Sequence, residues 1–419
     1  MFRLGLRLPI ICTCIHSENL AYCSRRNRMV SYAYIGHHFW DSLDALYHTY
    51  PKENEPQDSS NKRMPSKEFV LTQIQTIISD VMQQMSSGES PSIQHVNRNT
   101  WDNISFRENG GLQLVNEPRM TTVRYESPQS TKKFTIMMRV MSLMYTLVQT
   151  DKFSTKRDLF YQDPTFFGNQ SAVDEAVDNI SCMLQIPRWH LHVLGTSKGL
   201  LAGDLSFQDA DGNFVSCKST KNGVMVPSHV MGISYLQTDA RFVLIIEKDA
   251  TFQKLLDDGF HLIFEQCILV TAKGFPDMNT RLLLKLLWDK FHVPMMALVD
   301  ADPHGIEIMS VYKYGSRALA FESEYLAVPT IRWLGVLPTD IKRFGIDTKS
   351  CIPLTKGDKD KIFELLSRPF CSSFVGLDKE LKLMLEMNVK AEIQILDSIS
   401  PTFLSNLYLP GKLQYGGWL

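Results

Sequence analysis

Three acidic residues stand where a cation could use them. Glu247 follows directly on the apolar run Arg241–Ile246 (RFVLII), and Asp300-Ala-Asp302 follows directly on Pro294–Val299 (PMMALV). If both runs are strands of one parallel sheet, their carboxyl ends bring Glu247, Asp300 and Asp302 to a shared edge, where such sheets gather their functional groups. Carboxylates crowded there repel one another unless a hard cation lies among them, and magnesium takes oxygen ligands while keeping several waters. The plainer alternative is that these acids cap strand ends or helix N-termini. Tyr161 is a second candidate. A phenol ionises at about pH 10 and attacks only when a base, a cation or a metal-bound phosphate lies nearby. Arg157, four residues earlier on the same helical face, supplies a cation that could stabilise a phenolate or hold a phosphate. The alternative for Tyr161 is an ordinary buried aromatic.

Other motifs carry less. Asp209-Ala-Asp-Gly212 contains a D-x-D, but it lacks the glycine and the terminal glutamate of a calcium loop and reads as a hairpin turn. Gly195-Thr-Ser-Lys-Gly199 falls short of a phosphate-binding Walker loop. No Ser-His-Asp or Cys-His arrangement stands out. The eight cysteines form no C-x-x-C pair, which indicates reduced thiols in a cell and argues against structural zinc.

The elements that must position these residues fall into two patterns. Lys132–Gln149 is helical in periodicity, Thr155–Tyr161 is a short helix before Asp163-Pro164, and Ser171–Leu184 is a third helix with Ser171 as its cap. His190–Leu194 and Leu200–Phe207 are β-like, with a turn at Asp209–Asn213 and a return strand toward Cys217. Helix-turn-helix followed by a hairpin is the outline of a winged-helix (CAP-like) domain. Beyond Pro227 the continuous apolar runs 241–246, 267–271 and 294–299 alternate with helices 250–257 and 279–292. Strands without polar alternation indicate a parallel sheet covered on both faces, hence an α/β domain. The expected class is α+β multidomain, a winged-helix domain followed by an α/β domain with a parallel sheet. Expected boundaries are a tail and linker at 1–65, an amphipathic helix region at 66–98, the winged helix at 99–232 and the α/β domain with a C-terminal extension at 233–419. In the second of these, Phe69, Val70, Ile74, Ile77, Ile78, Val81, Met82 and Met85 fall at helical spacing, for packing on its own domain or for docking a partner.

With 419 residues, 44% hydrophobic, the chain has room for two or three ordinary cores. No run approaches the roughly 18 apolar residues of a membrane helix. A net charge of −1 leaves any nucleic-acid contact to local basic surface, such as Lys132, Lys133, Arg139, Lys152, Lys156 and Arg157, which also reads as a solvated helix face. Arg3, Arg7, Arg25, Arg26 and Arg28 surround an apolar patch at Leu8–Cys14. That patch is too short for a good targeting peptide, so a disordered tail is expected.

Taken together, Lys156-Arg-Asp-Leu-Phe-Tyr161, Phe167-Gly-Asn-Gln170, Glu247-Lys-Asp-Ala250, Ala272-Lys-Gly274, Asp300-Ala-Asp-Pro-His-Gly305, Ile331-Arg-Trp-Leu-Gly335 and Gly416-Gly-Trp-Leu419 form a set. The set resembles the type IIB topoisomerase A family, which joins the A subunits of archaeal topoisomerase VI and the meiotic double-strand-break transesterases, and the resemblance runs from about Ser66 to Leu419. It implies that the α/β domain is a Toprim domain with metal ligands Glu247, Asp300 and Asp302 for magnesium, and that Tyr161 is the nucleophile. Some relatives carry tyrosine at both adjacent positions; here the first is Phe160, which has no hydroxyl. The resemblance also implies DNA contacts at Arg157, Lys198, Lys273 and Gly274, and a homodimer whose active sites each draw on two chains. Double-stranded DNA, a B-type topoisomerase VI-like subunit docking at the N-terminal region, and accessory recombination factors are the implied partners. A nuclear, chromosomal location goes with them. The expected function is a transesterase that breaks both DNA strands in meiosis through a 5′-phosphotyrosyl link. The competing readings are the A-type component of a type IIB topoisomerase that reseals its breaks, and a catalytically silent DNA-binding scaffold.

Overall fold

The computed structural model describes residues 37–50 and 65–419; the rest of the expected tail and linker lies outside the described residues. Helix α1 (Asp41–Tyr47) lies inside the 1–65 segment expected to be unstructured, and for these residues that expectation is corrected. Phe39, Leu43, Leu46 and Tyr50 are all buried, so the stretch is held by apolar burial rather than by helix propensity. Helix α2 (Lys67–Ser86) is capped by the Ser66 hydroxyl, which accepts from the Phe69 N–H at 3.2 Å. Its Val70, Ile74 and Val81 pack into the core of α3 (Pro128–Thr150), where Met137, Val140, Met141 and Met144 are fully buried. Phe69, Met82 and Met85 stay exposed.

Thr155 then caps α4 (Lys156–Tyr161) reciprocally with Asp158: the Asp158 N–H donates to the Thr155 hydroxyl, and the Thr155 N–H donates to the Asp158 carboxylate, both at 3.1 Å. Helix α5 (Gln170–Leu184) starts one residue earlier than expected, because Asn169 rather than Ser171 is its cap; the Asn169 side-chain oxygen accepts from the Ala172 N–H at 2.8 Å. His190–Leu194 is not one strand. Pro187 starts a single helical turn over Arg188–Leu191 that buries Trp189 and Leu191, and only Val193–Leu194 pairs, in parallel, with Ser154–Thr155.

The second half is built on a six-stranded sheet. Its strands are β1 (Leu200–Gly203), β2 (Val224–Met225), β3 (Phe242–Ile246), β4 (Cys267–Thr271), β5 (Met295–Leu298) and β6 (Arg332–Gly335), in the order β2-β1-β4-β3-β5-β6. Strands β4, β3, β5 and β6 are parallel, and every residue of β3 and β4 is buried, as their unbroken apolar runs require. Alternate residues feed opposite faces. Val243, Ile245, Ile268 and Val270 meet α7 (Met278–Phe291), which follows α6 (Asp249–Asp257). Leu244, Ile246 and Leu269 meet α1 and the last helix, α9 (Leu409–Tyr415), which follows α8 (Pro303–Tyr314).

The expected wing strand Leu200–Phe207 is divided. Gly203 takes φ +95, and a Cβ there would fall 2.2 Å from the Cys267 carbonyl oxygen, so the chain bends where only glycine fits. The first part, β1, runs antiparallel to β4. The second, Ser206–Gln208, forms the expected hairpin with Phe214–Ser216 around a turn whose N–H groups, from Asp211 and Asn213, donate to the Asp209 carboxylate. Main-chain hydrogen bonds therefore cross the boundary expected at 232/233. Among the described residues, no helix is long and apolar enough to cross a membrane.

Because Leu43 is 1% exposed, Leu43→Ala should destabilise the protein by about 2–5 kcal/mol in chemical denaturation. A cost near zero would show that α1 is not part of the core.

Candidate active site

Tyr161 ends α4, and its ring is 58% exposed, which removes the buried-aromatic alternative. Leu159, fully buried, pins the helix and turns Arg157 and Tyr161 outward. The Arg157 Nη2 donates to the Tyr161 Oη at 3.3 Å, and the guanidinium lies 5.7 Å from the ring centroid. That hydrogen bond holds the arginine more firmly protonated than usual. Tyr161 lines a cleft with Arg157, Lys156, Phe160, Gln170, Asp174, Arg188, Leu194, Gly195 and Thr196, and none of Glu247, Asp300 and Asp302 lines it.

The carboxylates meet elsewhere, at the carboxyl ends of β3 and β5. Pairing of these strands sets them side by side, with Ile246 opposite Leu298 and the Glu247 N–H donating to the Leu298 carbonyl at 3.1 Å. Glu247 is 8% exposed, and its Oε2 accepts from the Asp300 N–H at 2.8 Å. Burial, with the Asp300 carboxylate adding repulsion, pushes its pKa up to about 7. Asp300 is also buried and raised, first by burial; its Oδ1 accepts from the Ile393 N–H at 2.9 Å and its Oδ2 pairs with Lys248 Nζ at 2.8 Å. Asp302 is the cap of α8, with its Oδ1 taking the Gly305 N–H at 2.5 Å, so the cap alternative describes one of its oxygens. Among the described residues no three His, Cys, Asp or Glu side chains close into a cage for an ion. The donor set still fits magnesium in chemistry, with hard carboxylate oxygens and two of the acids destabilised by burial; Lys248 already holds one Asp300 oxygen.

Lys198 and Lys273 come together. The Lys198 ammonium donates to the Lys273 carbonyl at 3.5 Å, while Lys273 Nζ pairs with Asp249 at 3.3 Å. Lys273 and Gly274 both take positive φ, and the Gly274 N–H donates to the Glu247 carbonyl at 2.8 Å, which ties this bend to the acid-bearing strand. Two residues went unnoticed in the sequence. Lys248 was within reach, since it adjoins Glu247 in the same motif. Arg188 had no signal, because nothing in its spacing places it beside Tyr161.

A sheet of this topology with acids at these strand ends defines a Toprim domain. Residues 242–413 match the family model for the Toprim domain of the topoisomerase 6 A subunit and Spo11, and residues 132–193 match the model for type IIB DNA topoisomerase. The chain is 49% identical to mouse (Mus musculus) Meiotic recombination protein SPO11 over 85% of its own length and 90% of the mouse protein. It is 46% identical to the human (Homo sapiens) protein of the same name, over 91% of this chain and 97% of that one. It is 36% identical to the A subunit of DNA topoisomerase 6 from Arabidopsis thaliana, over 84% of this chain and 81% of that one. The chain belongs to the family of topoisomerase 6 A subunits and SPO11 meiotic recombination proteins.

Glu247 yields a pH prediction. Its folded pKa, about 7, lies above the ordinary 4.5, so its contribution to stability is fully present below about pH 4.5 and lost as pH rises through 7. Without divalent ions, Glu247→Gln should flatten the fall in melting temperature between pH 5 and pH 8. Added magnesium should raise the wild-type melting temperature at pH 8 and raise that of Glu247→Gln or Asp300→Asn less. Equal magnesium shifts in all three proteins would remove these acids from the metal site.

Proposed function

We propose that the chain is the DNA-cleaving subunit of a topoisomerase-like transesterase that makes meiotic double-strand breaks and so starts homologous recombination. The observation that carries this reading is the exposed Tyr161 hydroxyl, paired with Arg157 in a cleft with basic walls that the three carboxylates do not line. Tyr161 Oη attacks a backbone phosphorus in line, and the phosphorus–O3′ bond breaks. The tyrosine is left joined to the 5′ end, and the proton lost by the phenol is balanced by the one the departing 3′ oxygen gains. No water is consumed, so the phosphodiester energy stays in the phosphotyrosyl bond. Arg157 steadies the phenolate and the attacked phosphate. Phe160, lacking a hydroxyl, leaves one nucleophile.

Glu247, Asp300 and Asp302 would hold magnesium, which offsets negative charge developing on the phosphoryl and leaving oxygens. Since these acids and Tyr161 occupy separate places in one chain, a complete site takes the tyrosine of one copy and the acids of another. Two such sites across a duplex cut both strands. Lys198, Lys273 and the bend at Gly274 suit contact with the DNA backbone.

In this reading residues 99–232 are the winged-helix domain that presents Tyr161, and residues 233–419 the Toprim domain with its extension, whose sheet also takes in Leu200–Gly203 and Val224–Met225. Residues 66–98 contain the helix that docks a B-type subunit, for which the exposed Phe69, Met82 and Met85 on α2 offer apolar surface. Accessory recombination factors and a nuclear, chromosomal location accompany the role. The matches to plant topoisomerase 6 A subunits favour, as a second reading, an enzyme that also reseals its breaks.

The deciding experiment looks for protein bound covalently to 5′ DNA ends in cells expressing wild type or Tyr161→Phe. Wild type should give the adduct and the variant none; an adduct from Tyr161→Phe would overturn the assignment.

A further inference from the structure

The cleft beside Tyr161 is lined by three cations, Lys156, Arg157 and Arg188, and by one acid, Asp174. Asp178, on α5, is approached by three cations: Lys156 Nζ at 2.5 Å, Arg188 Nη1 at 3.8 Å and Arg98 Nη1 at 3.9 Å. All four side chains are largely sheltered, with Arg188 at 13% and Lys156 at 18% exposure, so water screens their charges only in part. Asp178 takes the lysine at hydrogen-bond distance and leaves both arginines beyond it. Arg98 completes its needs elsewhere, donating from Nε and Nη2 to the Asn179 side-chain oxygen. Lys156 also donates to the Asp174 carbonyl. Arg188 does not: its Nε is buried without a hydrogen-bond partner, among the described residues.

The main chain on either side of Arg188 is well held. Its N–H donates to Glu322 Oε1 at 3.4 Å, reaching across to the Toprim half, and Pro187 precedes it. Its Nη2 runs alongside Gly195, where an added Cβ would lie 3.1 Å away, and both residues line the Tyr161 cleft. A guanidinium anchored from behind, short of acceptors and facing a nucleophile's cleft, has the form of an anion holder.

We propose that Arg188, supported by Lys156, holds a DNA backbone phosphate in the Tyr161 cleft and so sets the strand in line for attack. The inference rests on the reading of Tyr161 as nucleophile and adds a second phosphate contact besides Arg157. Asp178 and Glu322 act as positioning residues that hold the arginine's backbone and head in place.

The test is binding of a short DNA duplex to the full chain with its B-type partner, followed by fluorescence anisotropy at several salt concentrations. Arg188→Gln should weaken binding about tenfold and reduce the salt slope by about one counterion. Arg188→Lys should keep the slope, since it keeps the charge, while losing part of the affinity, since it loses the planar fork. Slopes equal to wild type in Arg188→Gln would overturn the proposal. So would a slope reduced as much in Arg188→Lys, because charge would then not be what matters. Should Arg188→Gln fail to fold, Thr196→Glu, an exposed position lining the same cleft, places there a carboxylate that repels phosphate; it should weaken duplex binding similarly, and unchanged binding would overturn the proposal. Covalent adduct formation, followed in parallel with Tyr161→Phe, judges the nucleophile separately from the salt slope.

Discussion

The pairing of β3 with β5 is the constraint on which the rest depends. Parallel strands in register place the residues just past their carboxyl ends side by side, and here those residues are Glu247 and Asp300. Neither acid has water enough to be comfortable as an anion. The structure meets this with main-chain donors, from Asp300 to Glu247 and from Ile393 to Asp300, and with Lys248. Positive charge relieves the burial cost that the hydrogen bonds only partly offset, and Lys248 supplies it beside Asp300.

Tyr161 is handled in the opposite manner. Its helix is six residues long and has little stability of its own, so a reciprocal cap at Thr155 and Asp158 and the burial of Leu159 hold it against the helical core. The hydroxyl is kept outside, with the Arg157 guanidinium as its hydrogen-bond partner. Tyr161 and the three carboxylates thus occupy separate places in one chain.

The two halves are not beads on a string. Strand β1 leaves the hairpin region to extend the Toprim sheet, and Glu322 reaches back to the Arg188 main chain and the Ser181 hydroxyl. At the far side, α1 covers the sheet, with Arg241 paired to Asp44 at 3.1 Å and stacked on Trp40. Such cross-bracing couples the position of the Tyr161 cleft to the sheet that carries the acids.

Much of this was legible in the residues themselves. The unbroken apolar runs ending at Ile246, Thr271 and Val299 announced buried parallel strands, since only a strand covered on both faces dispenses with polar alternation. The acids behind two of those runs were therefore readable as strand-end groups, and the family motifs pointed to Tyr161. Other features were beyond local pattern. Gly203 bends the chain because of the Cys267 carbonyl, a neighbour 64 residues away in sequence, so one apparent strand became two. Helix α1 is too short to read from periodicity and is ordered by the sheet it covers. Arg188 gained its place only when Asp178, Gly195 and Glu322 closed around it. Periodicity reports which face of an element meets apolar surroundings; which charges meet across elements is decided by packing, and that is where the separation of Tyr161 from the carboxylates was settled.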